Sequence, residues 1–191
     1  IIIDDLEFPS AVLAYTAYQR KGIEIRTVKH RQGRLYIEDF EKLADKRTRV
    51  IAVSTAQWST GFMIDLKKLV ELADTVGAYV AADGCQSLGA FKLDVKETGV
   101  HFVATQGHKW LFSPMGSGFM FMRKDLVDNY DPDIVESCNL YKDPARQPYH
   151  HQYDLSLERD YAIKFVDTAA KFQSASNIMG IWALYEALHC I

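Results

Sequence analysis

Two reactive side chains follow apolar segments in the middle of the sequence. Asp83 comes directly after the run AYVAA, and Lys109 follows the run FVATQG and precedes Trp110. A buried carboxylate costs several kcal/mol unless a cation or a hydrogen-bond donor faces it. A lysine beside apolar side chains loses hydration, which lowers its pKa and favours the neutral, nucleophilic amine. We therefore expect Asp83 and Lys109 to belong to one reactive site.

Each of these residues also has an ordinary explanation. A single lysine most often points into solvent, and Asp83 could cap a helix that begins near Gly84. Taken together, an acid and a desolvated amine suit pyridoxal 5'-phosphate (PLP), whose pyridinium nitrogen faces an acid and whose aldehyde condenses with an amine. Asp83 would keep the ring nitrogen protonated, and Lys109 would bind the aldehyde and later move protons. PLP is therefore the cofactor that these two residues suit.

The elements that position these residues alternate between strands and helices. Such alternation predicts right-handed crossovers and a mostly parallel α/β sheet. Only about ten residues separate the last two strands, too few for a helical crossover, so that pair is predicted to be antiparallel. The predicted strands are 23–28, 49–55, 78–83, 102–107 and 118–124, and the predicted helices are 37–46, 65–77 and one from about residue 176.

The helix at 65–77 has the clearest pattern of the three. Its apolar residues recur at helical spacing and predict an inward face, and Gly77 is a suitable C-terminal cap. The residues of that inward face are Leu66, Leu69, Val70 and Ala73.

Polar clusters follow three of the predicted strands. They are residues 55–57 (Thr-Ala-Gln), 83–86 (Asp-Gly-Cys-Gln) and 106–109 (Gln-Gly-His-Lys). In open α/β sheets, ligands bind beyond the carboxyl ends of the strands. We therefore expect the three clusters to meet at one rim of the sheet and to form a binding site there.

Composition excludes several other classes of function. The chain has 191 residues and a formal charge of −3, which gives no electrostatic case for nucleic acid or an anionic membrane. No apolar run reaches the ~18 residues that span a bilayer. Cys85, Cys138 and Cys190 lack C-x-x-C spacing, which favours a reducing compartment, with the cytoplasm as the default. Adjacent histidines at 150–151 point apart, so no metal site is predicted.

The chain is predicted to form one cofactor-binding domain over residues 1–191. Residues 1–125 would form the sheet core, and residues 126–175 an irregular segment that serves function or an interface. Residues 176–191 would begin a helix that leads onward. The sequence opens within a strand-like run and stops within a helical pattern, so we expect a piece of a longer protein.

The run from Val53 to Met122 resembles the large domain of class V aminotransferases. That family includes cysteine desulfurases, selenocysteine lyases and isopenicillin N epimerase-like proteins. The specific part of the resemblance is Asp-x-x-Gln, beginning at Asp83, followed by His-Lys at 108–109. The resemblance implies the three-layer α/β fold of the aspartate aminotransferase-like PLP-dependent transferases, a PLP cofactor and a homodimer.

The resemblance also implies roles for single residues at the rim. Lys109 resembles the Schiff-base lysine, and Asp83 resembles the partner of the pyridine nitrogen. Gln86 resembles the residue that hydrogen-bonds the phenolic oxygen of the cofactor, and His108 resembles a phosphate ligand. Gln57 stands where many relatives have an asparagine or glutamine near the same phenolic oxygen.

Two further positions are implied outside these motifs. Phe8, in the segment LEFPS, resembles the aromatic residue that stacks on the cofactor ring. Ser176, in the segment KFQSASN, resembles a residue whose hydroxyl reaches the phosphate bound by the neighbouring subunit. This second position is the one that implies a homodimer.

The chain departs from the family pattern in ways that bear on its reaction. Desulfurases usually have histidine at the position of Phe8 and serine at the position of Gln106. The segment that cradles the phosphate and the small domain, which carries the desulfurase cysteine and a substrate-binding arginine, are not in this sequence. We therefore expect transaminase, lyase or epimerase chemistry on a small amino acid through a Lys109 aldimine. Cysteine desulfurase or selenocysteine lyase activity, and a catalytically silent binding scaffold, are the alternatives.

Overall fold

The structure is a computed structural model that describes residues 1–132, 166–172 and 177–190. The chain divides into two compact units, one formed by Ile1–Phe121 with Ile178–Ile191 and the other by Met122–Asn177. The predicted residues Cys138, His150, His151 and Ser176 lie outside the described part of the chain.

A six-stranded sheet in the order β2-β1-β3-β4-β5-β6 runs through residues 2–122. The first five strands are parallel, and β6 is antiparallel to β5, as predicted. In the register of β3, β4 and β5, Ser54 lies beside Asp83, and Asp83 lies beside Ala104. The strands are β1 Ile2–Asp4, β2 Arg26–Val28, β3 Val50–Ser54, β4 Tyr79–Asp83, β5 Phe102–Gln106 and β6 Gly118–Met122.

Six α-helices are described, and four of them lie in the connections between successive parallel strands. In the helix at 66–76, all four residues of the predicted inward face are buried, and Gly77 adopts φ 71° as the C-terminal cap. Asp65 caps the N-terminus by accepting a hydrogen bond from the Lys68 amide. The helices are α1 Pro9–Thr16, α2 Ile37–Glu41, α3 Leu66–Val76, α4 Val95–Thr98, α5 Lys124–Asn129 and α6 Ile178–Leu188.

Most predicted elements agree with the observed ones to within two residues, but two of them are clearly too long. The predicted strand 23–28 is a strand only from Arg26, because its partner β1 begins at Ile2 and offers three residues for pairing. The predicted helix 37–46 ends at Glu41. The chain then closes a turn in which Asp45 and Thr48 exchange hydrogen bonds through the Thr48 amide and hydroxyl.

The core of the first unit lies between the strands and α2 and α3. Apolar side chains with almost no exposure to solvent, mostly Val, Ile and Leu, fill it, as expected for parallel strands covered on both faces. The largest of them include Ile2, Phe40, Ile51, Leu69, Val80, Val100 and Val103.

The second unit is described only in part. It contains α5 and a short 3-10 helix, Ala169–Phe172. The buried Lys171 ammonium pairs there with Asp131 at 2.9 Å. No helix in the described ranges is both long and apolar enough to cross a membrane.

Candidate active site

Asp83 is fixed at the carboxyl end of β4 by bonds to two neighbouring segments. Its Oδ1 accepts a hydrogen bond from the Cys85 amide at 2.7 Å. Its backbone carbonyl accepts bonds from the Thr55 amide at 2.9 Å and from the Thr55 hydroxyl at 3.0 Å. The carboxylate is half-buried, so it remains within reach of a ligand at the rim.

Lys109 lies in a closed turn between β5 and β6. The Gly107 amide donates to the Ser117 carbonyl at 2.8 Å, and the Ser113 amide donates to the Gly107 carbonyl at 2.9 Å. The Ser113 and Ser117 hydroxyls are 2.7 Å apart. A Cβ on Gly107 would come within 2.6 Å of the Ser117 hydroxyl oxygen, so the turn requires glycine. This closed turn holds the half-buried Lys109 at the end of β5.

The Phe8 ring lies next to the lysine amine, and a second ring packs against it. The Lys109 Nζ is 5.7 Å from the centroid of the Phe8 ring, within the range of a cation–π contact. The Trp58 ring meets the Phe8 ring edge to face at a centroid distance of 5.6 Å. Both rings are close to half exposed, 43% for Phe8 and 49% for Trp58, so an aromatic surface is open to a planar ligand.

The turn after β4 abuts the turn that carries Lys109. The indole Nε1 of Trp110 donates to the Gln86 side-chain oxygen at 3.4 Å. Gly89 has φ 95°, and a Cβ there would lie 2.2 Å from the Trp110 carbonyl oxygen. The two turns therefore approach at backbone distance, which fixes Gln86 relative to Lys109.

Cys85 lies between the acid and the amine and interacts with both of them. Burial and a hydrogen bond with Asp83 raise the pKa of the Cys85 thiol, while the positive charge of Lys109 acts on the same thiol in the opposite direction. The Gln106 amide also donates to the Cys85 Sγ at 3.3 Å. The structure therefore brings Asp83 and Lys109 to the same rim, around a thiol of low reactivity.

Gln57 lies elsewhere than expected. Its side chain is only 2% exposed, and its Nε2 donates to both Asp4 carboxyl oxygens at 3.2 Å and to Glu7 at 3.3 Å. Burial and the negative charge of Glu7 raise the pKa of Asp4 to about 8. The structure therefore places the Gln57 amide in a buried polar cluster and does not bring it to the open rim with Asp83 and Lys109.

The remaining predicted residues fall on or near the rim where they are described. Phe8 forms the aromatic wall, and Gln86 and His108 are half-buried on the turns after β4 and β5. Trp58 was missed because nothing in its local pattern distinguishes it from an ordinary surface tryptophan. Tyr15 of α1 was also missed, although burial and the negative charges of Glu7 and Asp83 raise the pKa of its phenol.

The groups at the rim fit PLP. A carboxylate suits the protonated ring nitrogen, an amine suits the aldehyde, and an exposed aromatic face suits the flat ring. His108 is the predicted phosphate ligand in the described part of the chain.

A cavity of about 270 Å³ lies close to the rim but does not include its reactive groups. Its lining includes Thr55 and Ser87, whose hydroxyls hydrogen-bond each other behind Asp83. The predicted site residues do not line this cavity. We therefore assign the cofactor site to the open rim, where the reactive groups meet, and not to the better enclosed volume.

The fold and the rim define the class of protein. The sequence profile of the family described as aminotransferase class V matches residues 1–191. The chain belongs to the class V aminotransferase family, whose members are PLP-dependent enzymes. The family predicted from the sequence is confirmed.

Similar proteins with curated descriptions include cysteine desulfurases. The chain is 29% identical over 133 residues to a probable cysteine desulfurase of Methanothermobacter thermautotrophicus, covering 69% of this chain and 33% of the relative. It is 31% identical over 134 residues to the cysteine desulfurase of Salmonella newport, with coverage of 69% and 33%. The chain thus spans about a third of the length of these relatives.

Solved structures confirm the predicted fold class. The cysteine desulfurase CsdA of Escherichia coli superposes with a TM-score of 0.81 at 21% identity, covering 99% of this chain and 44% of CsdA. The cystine C-S lyase C-DES, solved with its product cysteine persulfide, gives 0.81 at 22% identity, with coverage of 99% and 48%. A variant of C-DES holds glycine covalently linked to its PLP cofactor. The chain therefore has the aspartate aminotransferase-like fold.

Proposed function

We propose that this chain forms the cofactor face of a PLP-dependent enzyme that acts on a small amino acid. One observation carries the proposal. Asp83 ends β4 and Lys109 follows the adjacent strand β5, and Cys85 bonds to Asp83 and to the Gln106 amide between them. The Lys109 amine lies 5.7 Å from the Phe8 ring. An acid, an amine and an aromatic face at one open rim are what a pyridine aldehyde cofactor needs.

The residues at the rim have separate tasks in this proposal. Bound PLP supplies an electron-withdrawing ring conjugated to the α-carbon of the substrate. Asp83 would keep a proton on the ring nitrogen, because its carboxylate is fixed at the end of β4. Lys109 would hold the aldehyde through its Nζ, and its amine would accept the proton from the α-carbon of the substrate. Phe8 would offer its aromatic face to the ring, and Gln86 would donate a hydrogen bond to the cofactor.

The reaction in this proposal begins with proton transfer at the α-carbon, which leads to transamination, epimerisation or elimination. Cleavage of a carbon–sulfur bond in cysteine is the second candidate, because relatives are described as cysteine desulfurases and C-DES as a cystine C-S lyase. Cys85 does not suit the role of sulfur acceptor, since burial and Asp83 raise the pKa of its thiol and keep it protonated.

The assembly and the location belong to the same proposal. We propose a homodimer in the cytoplasm, and light scattering of the complete protein measures the number of subunits. A catalytically silent scaffold with this fold is the competing proposal. The acid Asp83 and the amine Lys109 at an open aromatic rim favour the enzyme, because a binding scaffold does not require this pair.

The cofactor link is tested by trapping it. The complete protein is incubated with PLP, reduced with borohydride and digested, and its peptides are analysed by mass spectrometry. We expect the added mass on Lys109 and none on Lys96, a surface lysine of α4. Absence of the added mass, or its presence mainly on another lysine, would contradict the proposal.

The reaction is tested separately by proton exchange. Small amino acids incubated with the loaded protein in D₂O should gain deuterium at the α-carbon, and the Lys109→Ala variant should lose this exchange. Sulfide release from cysteine, measured in parallel, distinguishes the second candidate. Exchange that persists unchanged in Lys109→Ala would remove the lysine from the proposed role.

A further inference from the structure

A buried polar cluster lies directly behind the aromatic pair. We call Asp4, Glu7, Ser54 and Gln57 the carboxyl–amide cluster, and each of its members is at most 7% exposed. Gln57 bridges the two carboxyl groups through its Nε2, as described above. The Ser54 amide and hydroxyl both donate to Glu7, the hydroxyl at 2.9 Å. The cluster therefore joins the end of β1, the segment after it and the end of β3.

The cluster holds two carboxyl groups without a buried cation. Among the described residues, no lysine or arginine forms an ion pair with Asp4 or Glu7. Two carboxylates in so dry a site repel each other strongly, and one of them keeps a proton to relieve the repulsion. The raised pKa of Asp4, about 8, agrees with one retained proton at neutral pH.

Sequence adjacency connects this cluster to the rim. Glu7 precedes Phe8, and Gln57 precedes Trp58. The Phe8 backbone is extended and its side chain is 43% exposed, whereas Glu7 directly before it is 7% exposed and anchored in the cluster. The two rings are themselves nearly half exposed, so burial alone does not fix them. The two rings meet edge to face at a centroid distance of 5.6 Å, and each directly follows an anchored residue of the cluster.

One atom of the Gln57 side chain lacks a hydrogen bond in this position. Its Oε1 is buried and has no hydrogen-bond partner among the described residues. A buried unsatisfied acceptor is destabilising. The Nε2 bonds to the two carboxyl groups therefore orient the amide, although its Oε1 is left without a hydrogen bond.

We propose that the carboxyl–amide cluster is a positioning network that holds Phe8 and Trp58 as a fixed aromatic platform beside Lys109. The use of this platform by a cofactor ring rests on the proposed function. The coupling between the cluster and the two rings is a property of the chain itself, so it is testable before any cofactor is added.

Other titratable groups near the cluster must be considered in such a test. Asp5 is adjacent to Asp4, and its carboxylate pairs with His30 at 3.1 Å and Lys29 at 3.6 Å. Tyr15 of α1 lies within the influence of Glu7. As the pH rises past about 8, loss of the retained proton leaves two charged carboxylates in contact, and the platform should shift.

The test follows Trp58 directly as the pH is raised. The complete protein, without added PLP, is labelled with 5-fluorotryptophan, and the Trp58 resonance is assigned by its loss in Trp58→Phe. We expect its fluorine shift to titrate with a midpoint of about 8. Asp4→Asn, which keeps the shape but cannot ionise, should abolish this titration, and the matched control Asp5→Asn should retain it.

Two results would overturn the positioning network. One is a Trp58 resonance that does not titrate in the wild type, and the other is a titration that survives in Asp4→Asn. Circular dichroism shows whether each variant is folded, and Gln57→Met provides a second disruption that leaves both carboxyls in place and should displace the resonance at all pH values. Trapping of PLP on Lys109 is measured separately, so failure of the proposed function is distinguishable from failure of the network.

Discussion

Asp4 is a carboxyl group without access to water, and this makes its proton part of the stability of the fold. Its ordinary pKa of 3.8 is raised to about 8 in the folded chain. Between these values the folded state binds a proton that the unfolded chain has released. The free energy of unfolding therefore falls as the pH rises, by up to ~1.4 kcal/mol per pH unit, and the loss is complete above the folded pKa.

Replacing Asp4 with asparagine should flatten this dependence. The asparagine side chain does not titrate. The free energy of unfolding of Asp4→Asn should therefore change less than that of the wild type between about pH 5 and about pH 8. Urea unfolding at several pH values measures the slope. Asp5→Asn is the control and should keep the wild-type slope over this range, because the folded pKa of Asp5 lies below its ordinary value. Equal slopes in wild type and Asp4→Asn would show that Asp4 is already ionised.

The sequence could indicate some of these side chains and not others. Asp83 and Lys109 stand directly after apolar strands, and parallel strands end at one rim, so their convergence followed from local pattern and topology. Gln57 occupies a similar place after β3, yet its amide meets Asp4 and Glu7, which lie about fifty positions earlier in the chain. No local pattern reports a contact at that separation. The burial of this amide therefore could not be predicted.

Among the connecting elements, the turns after β4 and β5 depend on a close backbone approach at Gly89. Alanine there would need φ 95° and would place its Cβ 2.2 Å from the Trp110 carbonyl oxygen, a backbone atom that cannot rotate away. We expect Gly89→Ala to cost more than about 2 kcal/mol of stability and to displace Lys109. Thermal unfolding and the trapping of PLP on Lys109 measure the two effects.

Gly22 provides the matched control for this substitution. It also has a positive φ, 78°, but no atom lies within 4 Å of an added Cβ. Gly22→Ala should therefore cost only the ~1 kcal/mol of the left-handed conformation and should leave the trapping intact. Similar losses of stability in the two variants would mean that the close approach to Trp110 contributes little.

The N-terminal cap of α3 allows a simpler prediction. Asp65 accepts the Lys68 amide at 3.1 Å, which satisfies one of the free amides of the first turn. Asp65→Ala should lower the free energy of unfolding by ~1 kcal/mol, and Glu71→Ala, on the exposed face of the same helix, by much less. Chemical denaturation compares the two. A loss no larger than that of Glu71→Ala would show that the cap is not needed.

Helices and strands with several agreeing sequence features were predicted more accurately than those with one. Helix α3 was predicted with its inward face and its C-terminal Gly77 because an amphipathic period and a cap coincide there. The helix beginning at Ile37 carries a similar period but stops at Glu41, where the hydrogen bonds between Asp45 and Thr48 favour a turn. Side-chain hydrogen bonds of this kind compete with the helix, and the spacing of apolar residues does not reveal them.

For the molecule as a whole, the class of fold was the easiest feature to predict. Alternating strands and helices require a mainly parallel sheet, and the short link before β6 requires one antiparallel strand. The strand order is a different matter, because several orders satisfy the same crossover rule. The order β2-β1-β3-β4-β5-β6 depends on which edges the helices cover, and therefore on tertiary packing.

Cofactor binding should stabilise the whole fold, since a ligand that binds only the folded state raises its free energy of unfolding. At PLP concentrations about a hundredfold above the dissociation constant, the gain is ~2.7 kcal/mol, visible as a higher melting temperature of the complete protein. Lys109→Ala removes the covalent link and should lose much of this gain, while Lys96→Ala should keep it.

Pyridoxamine phosphate separates the covalent link from the remaining contacts. It has an amine in place of the aldehyde, so it cannot condense with Lys109, whereas Asp83, Phe8 and Gln86 are offered the same ring. We expect it to raise the melting temperature by similar amounts in the wild type and in Lys109→Ala. If PLP also stabilised both proteins equally, the ring contacts alone would account for binding, and the amine at position 109 would not be the group that condenses with the aldehyde.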